Sequence, residues 1–171
     1  EMVKENMLLS DVLTRKAFEN AIITNAAIGG STNFIIHLLA IAGRIGVDLK
    51  LDDFDKLSAN IPFIVNLQPS GNYFMEDLYY AGGLPAVMKD LDQFLHKDII
   101  TVNGKSVKEN YDTAECYNRE VIATADKPFN PLSGVAILKG NLCENGAVIK
   151  PSAVSAHLLK HSGKAIVFND I

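Results

Sequence analysis

Residues 27–42 read AIGGSTNFIIHLLAIA, and this stretch decides how the first half of the chain folds. Gly29 and Gly30 interrupt an apolar pattern, and glycine supplies the backbone freedom with which a helix ends. Upstream of them, four apolar residues recur at near-helical spacing, namely Leu13, Phe18, Ile22 and Ile23. This spacing predicts a first helix that Ser10 or Thr14 caps and that the two glycines terminate.

Ser31, Thr32 and Asn33 follow the glycines and offer cap side chains to a second helix that runs to about Ala42. That helix is apolar on nearly every face, which predicts burial on most of its sides. The free backbone N–H groups at its positive end suit a carboxylate or a phosphate. The three residues are therefore candidate substrate-binding residues. The alternative is an ordinary helix–helix turn, in which their hydroxyls satisfy only the local backbone.

His37 lies four residues after Asn33 and on the same face of the second helix. In so apolar a helix, the imidazole is either a pocket residue that reaches a substrate or a hydrogen-bonded residue of the core. We place His37 with Ser31, Thr32 and Asn33 among the candidate substrate-binding residues.

The other polar residues predict neither a catalytic group nor a metal site. His157 and His161 have a spacing that can chelate zinc, but no third ligand is obvious, and a partly solvated helix face explains them. Cys116 and Cys143 have no CxxC partner, and two thiols cannot complete an iron–sulfur cluster or a structural zinc site. No GxxxxGK[ST] pattern is present, so a nucleotide P-loop is not supported.

The rest of the first half is mostly helical in pattern, with one strand. Asp52 and Asp53 open a short helix, because carboxylates favour the positive end of the helix dipole. Residues 61–66 predict a buried strand. The further elements, in chain order, are a turn at 68–72, a helix from about 73 to 81, a glycine break at 82–83 and a helix from Pro85 to about 95.

From residue 98 onward the pattern changes from helix-rich to strand-rich, which predicts a domain boundary near residue 97. Residues 99–107 predict a β-hairpin, because Asn103-Gly104 suits a left-handed turn. The other predicted elements are strands at 135–138 and 147–150 around a loop at 140–146, a helix at about 154–161 and a strand at 165–168. We therefore expect two domains, 1–97 and 98–171, of the α/β class.

Composition and charge argue against several classes of partner. A net charge of −4 leaves no basic footprint for nucleic acid. The longest apolar stretch, 34–42, is too short to span a bilayer. No secretory signal is visible, so we expect reduced thiols and a cytoplasmic protein. Because the chain opens without methionine and its last predicted strand has no partner, we expect a piece of a longer protein.

Longer phrases along the chain resemble the dihydroxy-acid/phosphogluconate dehydratase family, in the family's order. They cover almost the whole chain: AIGGSTN at 27–33 with His37, QPSGNYFMED at 68–77, GGLPAVM at 82–88, TVNGK at 101–105, and GNL at 140–142 with GAVIK at 146–150. YYA at 79–81 and KPSA at 150–153 resemble the family's sugar-acid branch, which contains arabinonate and xylonate dehydratases.

The resemblance implies that a 2,3-dihydroxy sugar acid is dehydrated to a 2-keto-3-deoxy acid. It also implies two cofactors. An iron–sulfur cluster, either 2Fe–2S or 4Fe–4S, acts as the Lewis acid on the departing 3-hydroxyl group, and a Mg²⁺ ion holds the carboxylate and the 2-hydroxyl group of the substrate. The family's cluster cysteines, magnesium ligands and serine base belong to motifs that are not found in this chain. We therefore assign no catalytic or metal-binding residue, and we expect the isolated chain to be inactive.

The resemblance further implies a fold and an assembly. In the family, an N-terminal α/β domain joins a C-terminal β-barrel domain that resembles the swivelling domain of aconitase. The chain would hold the end of the first domain, 1–97, and the start of the second, 98–171. A homodimer or homotetramer is implied for the whole protein. The alternative function is a non-catalytic binding or interaction module that reuses the dehydratase fold.

Overall fold

The structure is a computed structural model, and it describes residues 2–132, 135–151 and 154–168. The described residues form seven α-helices, short 3-10 helices and one two-stranded sheet. The α-helices are α1 (Leu9–Val12), α2 (Arg15–Ile28), α3 (Asn33–Arg44), α4 (Leu51–Ser58), α5 (Met75–Tyr80), α6 (Gly83–Asp90) and α7 (Val107–Tyr111). The strands are β1 (Ala136–Gly140) and β2 (Cys143–Ile149), and 3-10 helices span Asp92–Phe94 and Ala156–Leu158.

The limits of α2 confirm the prediction from the sequence. Thr14 occupies its N-cap position, and the Thr14 hydroxyl accepts a hydrogen bond from the N–H of Ala17 at 3.4 Å. Ser10, the alternative cap, lies inside α1. Gly29 caps the C-terminus with φ of 66° and ψ of 43°, a left-handed conformation that glycine adopts without strain.

The larger hydrophobic cluster surrounds the extended segment 61–67, in which Ile64 and Val65 are fully buried. Residues of α2, α5, α6 and α7 pack against this segment, together with residues 121–123. The segment is buried, as predicted, but it makes isolated bridges to Asn130 and Ile122 instead of a continuous ladder.

The smaller hydrophobic cluster joins the inner side of α3 to α4 and to the β1–β2 hairpin. The rings of Phe34 and Phe54 meet edge to face, with their centroids 6.5 Å apart. Ile137 of β1 and Val148 of β2 pack on the same cluster. Because the hairpin covers α3 and α4 in this way, residues near 150 come close to the start of α3.

A polar network fixes α2 to the segment that follows α6. The buried Asn20 donates from Nδ2 to the His96 carbonyl at 2.9 Å, and its Oδ1 accepts from the His96 N–H at 2.8 Å. The Glu19 carboxylate accepts from Arg15 at 2.9 Å and lies 2.6 Å from Nε2 of His96. Burial raises the pKa of Glu19, but the hydrogen bonds from Arg15 and His96 outweigh it and hold this pKa below its ordinary value.

The predicted hairpin at 99–107 is confirmed in its turn but not in its strands: Gly104 has φ of 77° and the Thr101 N–H donates to the Lys105 carbonyl at 2.8 Å, yet no continuous strand forms on either side. Ile100 and Ser106 form one isolated bridge, and Val107 already begins α7. Ser106 and Glu109 form a capping box, in which Ser106 Oγ accepts from the Glu109 N–H at 3.2 Å and the Glu109 carboxylate accepts from the Ser106 N–H at 2.7 Å. This cap starts a helix where a strand was expected, and its Ser-x-x-Glu signature was present in the sequence.

The second predicted pair of strands is confirmed. β1 and β2 pair antiparallel, with Ala136 opposite Ile149 and Leu138 opposite Ala147. Their connection is shorter than predicted, because only residues 141–142 lie between the two strands.

Two predictions near the end of the chain are wrong. Within the predicted helix 154–161, only a 3-10 turn forms, at Ala156–Leu158. Residues 165–168 belong to no strand, and the side chains of Ile166, Val167 and Phe168 are exposed. No described strand lies beside these residues to pair with their backbone, and an unpaired strand has no stability of its own.

The mixture of helices with a small sheet agrees with the expected α/β class. The described strands form one two-stranded sheet, so the β-barrel domain stays a prediction. The boundary near residue 97 also stays a prediction, and the larger cluster contains buried residues on both sides of it, from Ile23 to Ala123. Among the described helices, none combines the length and the apolar character that crossing a membrane requires.

Candidate functional site

The candidate site is the turn at residues 29–33, between α2 and α3. The Gly29 N–H donates to the Ala26 carbonyl at 3.3 Å, and the Gly30 N–H donates to the Asn25 carbonyl at 3.0 Å. A β-carbon on Gly29 would lie 2.5 Å from the ring of Phe63. The left-handed backbone and the adjacent ring therefore both require glycine at position 29, and together they set the course of the turn.

Ser31, Thr32 and Asn33 lead into α3, as predicted, but only one of the two hydroxyls serves the backbone. Ser31 Oγ accepts from the Asn33 N–H at 3.2 Å. Thr32 occupies the N-cap position, and its side chain makes no capping hydrogen bond. The amide N–H groups of Ser31 and Thr32 donate to no described residue. They are donors that a bound anion could use, and substrate binding by these residues stays a prediction.

His37 lies on the exposed side of α3, one turn after Asn33. The ring is exposed and makes no hydrogen bond within the described chain, so His37 is not a hydrogen-bonded residue of the core that the described residues form. A role in a substrate pocket stays a prediction. The same side of α3 carries Ile36 and Ile41, which are 67% and 45% exposed. Within the described chain, α3 is therefore not buried on most sides as predicted, because α4 and the hairpin cover only the side that carries Ile35.

Lys150, which the prediction did not include among the site residues, contacts the same turn. It follows β2 directly, and its Nζ donates to the Gly29 carbonyl at 2.7 Å. Burial lowers the pKa of Lys150, and no carboxylate of the described chain forms an ion pair with it. The sequence carries no local signal for this contact, because 121 residues separate the two partners.

An apolar groove of about 400 Å³ lies beside the turn, between α2, α6 and residues 99–101. Ile28 and Phe34, which flank the turn, are part of its lining, and α6 contributes Leu84 and Met88. None of the four predicted binding residues lines this groove. Those four residues instead form an open surface at the start and along the exposed side of α3.

The residues present do not fit the cofactors that the resemblance implies. The described residues hold no group of three or more His, Cys, Asp or Glu side chains that could bind a metal ion. Cys116 and Cys143 are free thiols, and Cys143 Sγ lies 3.0 Å from the Gly146 carbonyl. An iron–sulfur cluster needs more thiolates than this chain contains, and Mg²⁺ needs a set of oxygen ligands. We therefore place neither group on this chain.

Comparison with protein families gives two matches that follow one another along the chain. The model described as dihydroxy-acid/6-phosphogluconate dehydratase N-terminal matches residues 1–110. The model described as dihydroxy-acid/6-phosphogluconate dehydratase C-terminal matches residues 120–171. The candidate turn lies in the first match, and Lys150 lies in the second.

Curated relatives match along the whole chain. A putative dehydratase IlvD1 of Rhizobium meliloti (strain 1021) is 55% identical over 171 residues, covering 100% of this chain and 30% of the relative. An L-arabinonate dehydratase of Rhizobium leguminosarum bv. trifolii (strain WSM2304) is 54% identical over 173 residues, with the same coverage. A dihydroxy-acid dehydratase of Ignicoccus hospitalis (strain KIN4/I) is 49% identical over 171 residues, covering 99% of this chain and 31% of the relative. The chain thus spans about 30% of the length of these relatives.

Proposed function

The chain belongs to the dihydroxy-acid/6-phosphogluconate dehydratase family, and on that premise we propose that the whole protein removes water from a sugar acid. The substrate is an aldonic acid such as a pentonate, and the product is the 2-keto-3-deoxy acid. The observation that carries the substrate class is the 54% identity, along the whole chain, with a relative named L-arabinonate dehydratase. The relative named dihydroxy-acid dehydratase is 49% identical.

Within the whole protein, this chain supplies one wall of the substrate pocket. The amide groups of Ser31 and Thr32 receive the carboxylate of the acid, because free N–H groups at a helix start converge on an anion at the positive end of the dipole. The Thr32 hydroxyl and the Asn33 side chain bind the same ligand. His37 reaches it from one turn further along α3. Since this surface is open in the described chain, the opposite wall comes from residues outside it.

The iron–sulfur cluster and Mg²⁺ of the family belong to the same proposal, with ligands outside this chain. Residues 98–171 form the start of the β-barrel domain, and residues 1–97 form the end of the α/β domain.

The whole protein is a cytoplasmic homodimer or homotetramer. Its assembly is measured by light scattering during gel filtration, and a monomer at micromolar concentration would contradict this part of the proposal.

The substrate class is tested with the whole protein, purified without oxygen. We expect it to convert arabinonate or xylonate to the 2-keto-3-deoxy acid, which is detected as its semicarbazone. A branched-chain 2,3-dihydroxy acid is the competing substrate, and its preferred turnover would contradict the sugar-acid class. If an aldonate binds but is never turned over, the non-catalytic binding module is favoured. The isolated 171-residue chain is the negative control and is expected to be inactive.

Replacing Thr32 by alanine in the whole protein tests the binding turn. We expect KM for the aldonate to rise about tenfold, about 1.4 kcal/mol, and kcat to stay within about twofold, because a contact to a charged ligand is lost in both the ground state and the transition state. The Thr32 side chain makes no capping bond, so the melting temperature should not change.

Ser31→Ala is the matched comparison for Thr32→Ala. It removes the acceptor of the Asn33 N–H, and we expect the free energy of unfolding to fall by no more than about 1 kcal/mol, because this bond is exposed and water can replace it. An unchanged KM in Thr32→Ala would remove Thr32 from the site and leave the turn with a role in helix structure only.

A further inference from the structure

We propose that Lys150 is a positioning residue for the turn at 29–33, because its ammonium holds the Gly29 carbonyl and thereby orients Ser31, Thr32 and Asn33. The effect on substrate binding rests on the proposed function of this turn, whereas the contact itself stands independently of it. Lys150 lies in the region matched by the C-terminal family model and Gly29 in the region matched by the N-terminal one. The hydrogen bond therefore joins the two regions of the family at the edge of the binding surface.

The Gly29 carbonyl depends on a donor from outside α2. The N–H groups of Gly29 and Gly30 satisfy carbonyls in the last turn of α2, at Ala26 and Asn25, and this completes the helix cap. The Gly29 carbonyl oxygen takes no part in these bonds, and the donor that it accepts from in the described chain is Lys150. A separation of 2.7 Å between Nζ and the oxygen is that of a charge-assisted hydrogen bond. The ammonium also lies at the negative end of the α2 dipole, where a cation is favourable.

The hairpin brings Lys150 to this position. Ile149, the residue before it, pairs with Ala136 across the sheet, so the backbone that leads to Lys150 is held. The strand β2 also packs closely on α4, since a β-carbon built on Gly146 would lie 2.8 Å from Cδ2 of Leu51. Val148 joins the cluster that also contains the inner side of α3. A displacement of the hairpin would therefore also move Lys150 relative to the Gly29 carbonyl.

The environment of Lys150 favours a role in orientation over one in apolar packing. The ammonium is partly desolvated, which lowers its pKa, and its described hydrogen bond is the one to the turn. An uncharged side chain of similar length would pack there without the cost of desolvating a charge. Lys139 in β1 differs in this respect, because it forms an exposed ion pair with Asp52 at 2.5 Å and contacts no part of the turn.

Lys150→Met in the whole protein tests the proposal with two measurements. The first is hydrogen exchange of the amides of Gly30, Phe34 and Ile35, which are bonded within the turn or beside it. We expect these amides to exchange about tenfold faster than in the unmodified protein, since the turn loses a donor of charge-assisted strength. The second is steady-state kinetics with arabinonate or xylonate, in which KM should rise about tenfold with kcat within about twofold.

Two further variants separate orientation from general damage. Lys150→Arg keeps a cationic donor, and it should bring both the exchange rates and KM back to within about threefold of the unmodified protein. Lys139→Met is the matched control in the same hairpin, and it should change neither, because an exposed ion pair contributes little. If Lys150→Met does not fold, Lys150→Leu, which also carries no donor, takes its place with the same expectations.

The outcomes distinguish this proposal from the proposed function. Unchanged exchange at Gly30, Phe34 and Ile35 would overturn the role of Lys150, even where aldonate turnover and the effect of Thr32→Ala support the binding turn. Absence of turnover in the unmodified protein would count against the proposed function, while hydrogen exchange would still decide the contact. A fall in kcat and melting temperature at unchanged KM would indicate a merely structural lysine and would also overturn the proposal.

Discussion

Gly29→Ala is expected to lower the free energy of unfolding by about 2–5 kcal/mol. The backbone of Gly29 has φ of +66°, and a left-handed conformation costs an L-residue about 1–2 kcal/mol. The new methyl group would also lie 2.5 Å from the ring of Phe63, whose side chain is buried, so that the ring or the backbone of the turn has to shift. Such overpacking adds about 1–3 kcal/mol. The change in the urea midpoint at constant m-value measures the sum.

Gly46→Ala is the matched control for this substitution. Gly46 has φ of +77°, and nothing lies within 4 Å of a β-carbon built on it. Alanine there should therefore cost only the backbone strain, about 1–2 kcal/mol. Equal losses at the two positions would contradict the contribution of Phe63. In the whole protein, Gly29→Ala should in addition raise KM for the aldonate, because the turn that carries the proposed binding groups is displaced.

Asn20→Ala is expected to cost about 2–4 kcal/mol of unfolding free energy. The Asn20 amide satisfies both the N–H and the carbonyl of His96, at 2.8 Å and 2.9 Å, and its side chain is buried. Alanine leaves these two backbone groups without their partners, and because both bonds are only partly buried, each loss costs about 1–2 kcal/mol, the lower part of the range for an unsatisfied group. The measurement is again the urea midpoint at constant m-value.

Asn110→Ala provides the comparison in an exposed position. Asn110 Nδ2 donates to the Ser106 carbonyl at 2.8 Å, and Asn110 Oδ1 accepts from Asn103 at 2.6 Å. Water can replace these bonds and the bond that Asn110 Nδ2 donates to Thr101 Oγ1 at 2.9 Å, so the expected cost is within about 1 kcal/mol. If Asn20→Ala lowers the free energy of unfolding no more than Asn110→Ala does, burial does not strengthen the network that holds α2.

Local signals predicted the elements around the site well. Thr14 and Gly29 limit α2 as expected, Asp52 and Asp53 lie in the first turn of α4, and the pairing of β1 with β2 is confirmed. Each of these features depends on residues within a few positions in the chain. Residues 99–107 show how two local signals compete, because Asn103-Gly104 indicates a hairpin whereas the capping box of Ser106 and Glu109 starts α7.

Burial on α3 could not be predicted from its composition. The helix is apolar almost all round, and such a pattern predicts burial without saying which elements cover each side. Within the described chain, α4 and the hairpin cover the side of Ile35, while Ile36 and Ile41 remain exposed. Whether His37 faces the core or the surface depends on the same packing, so the sequence left both alternatives open.

The family follows from the sequence alone, through phrases that succeed one another along nearly the whole chain, and so does the position of the glycine turn between α2 and α3. The absence of a capping bond from the Thr32 side chain, the exposure of His37 and the contact of Lys150 with Gly29 follow only from the packing of the chain. The two groups of features differ in the range of the interactions that produce them. Caps, periodicity and positive φ arise between neighbours in the chain, whereas the Lys150–Gly29 bond spans 121 residues and depends on how the hairpin packs against α3 and α4.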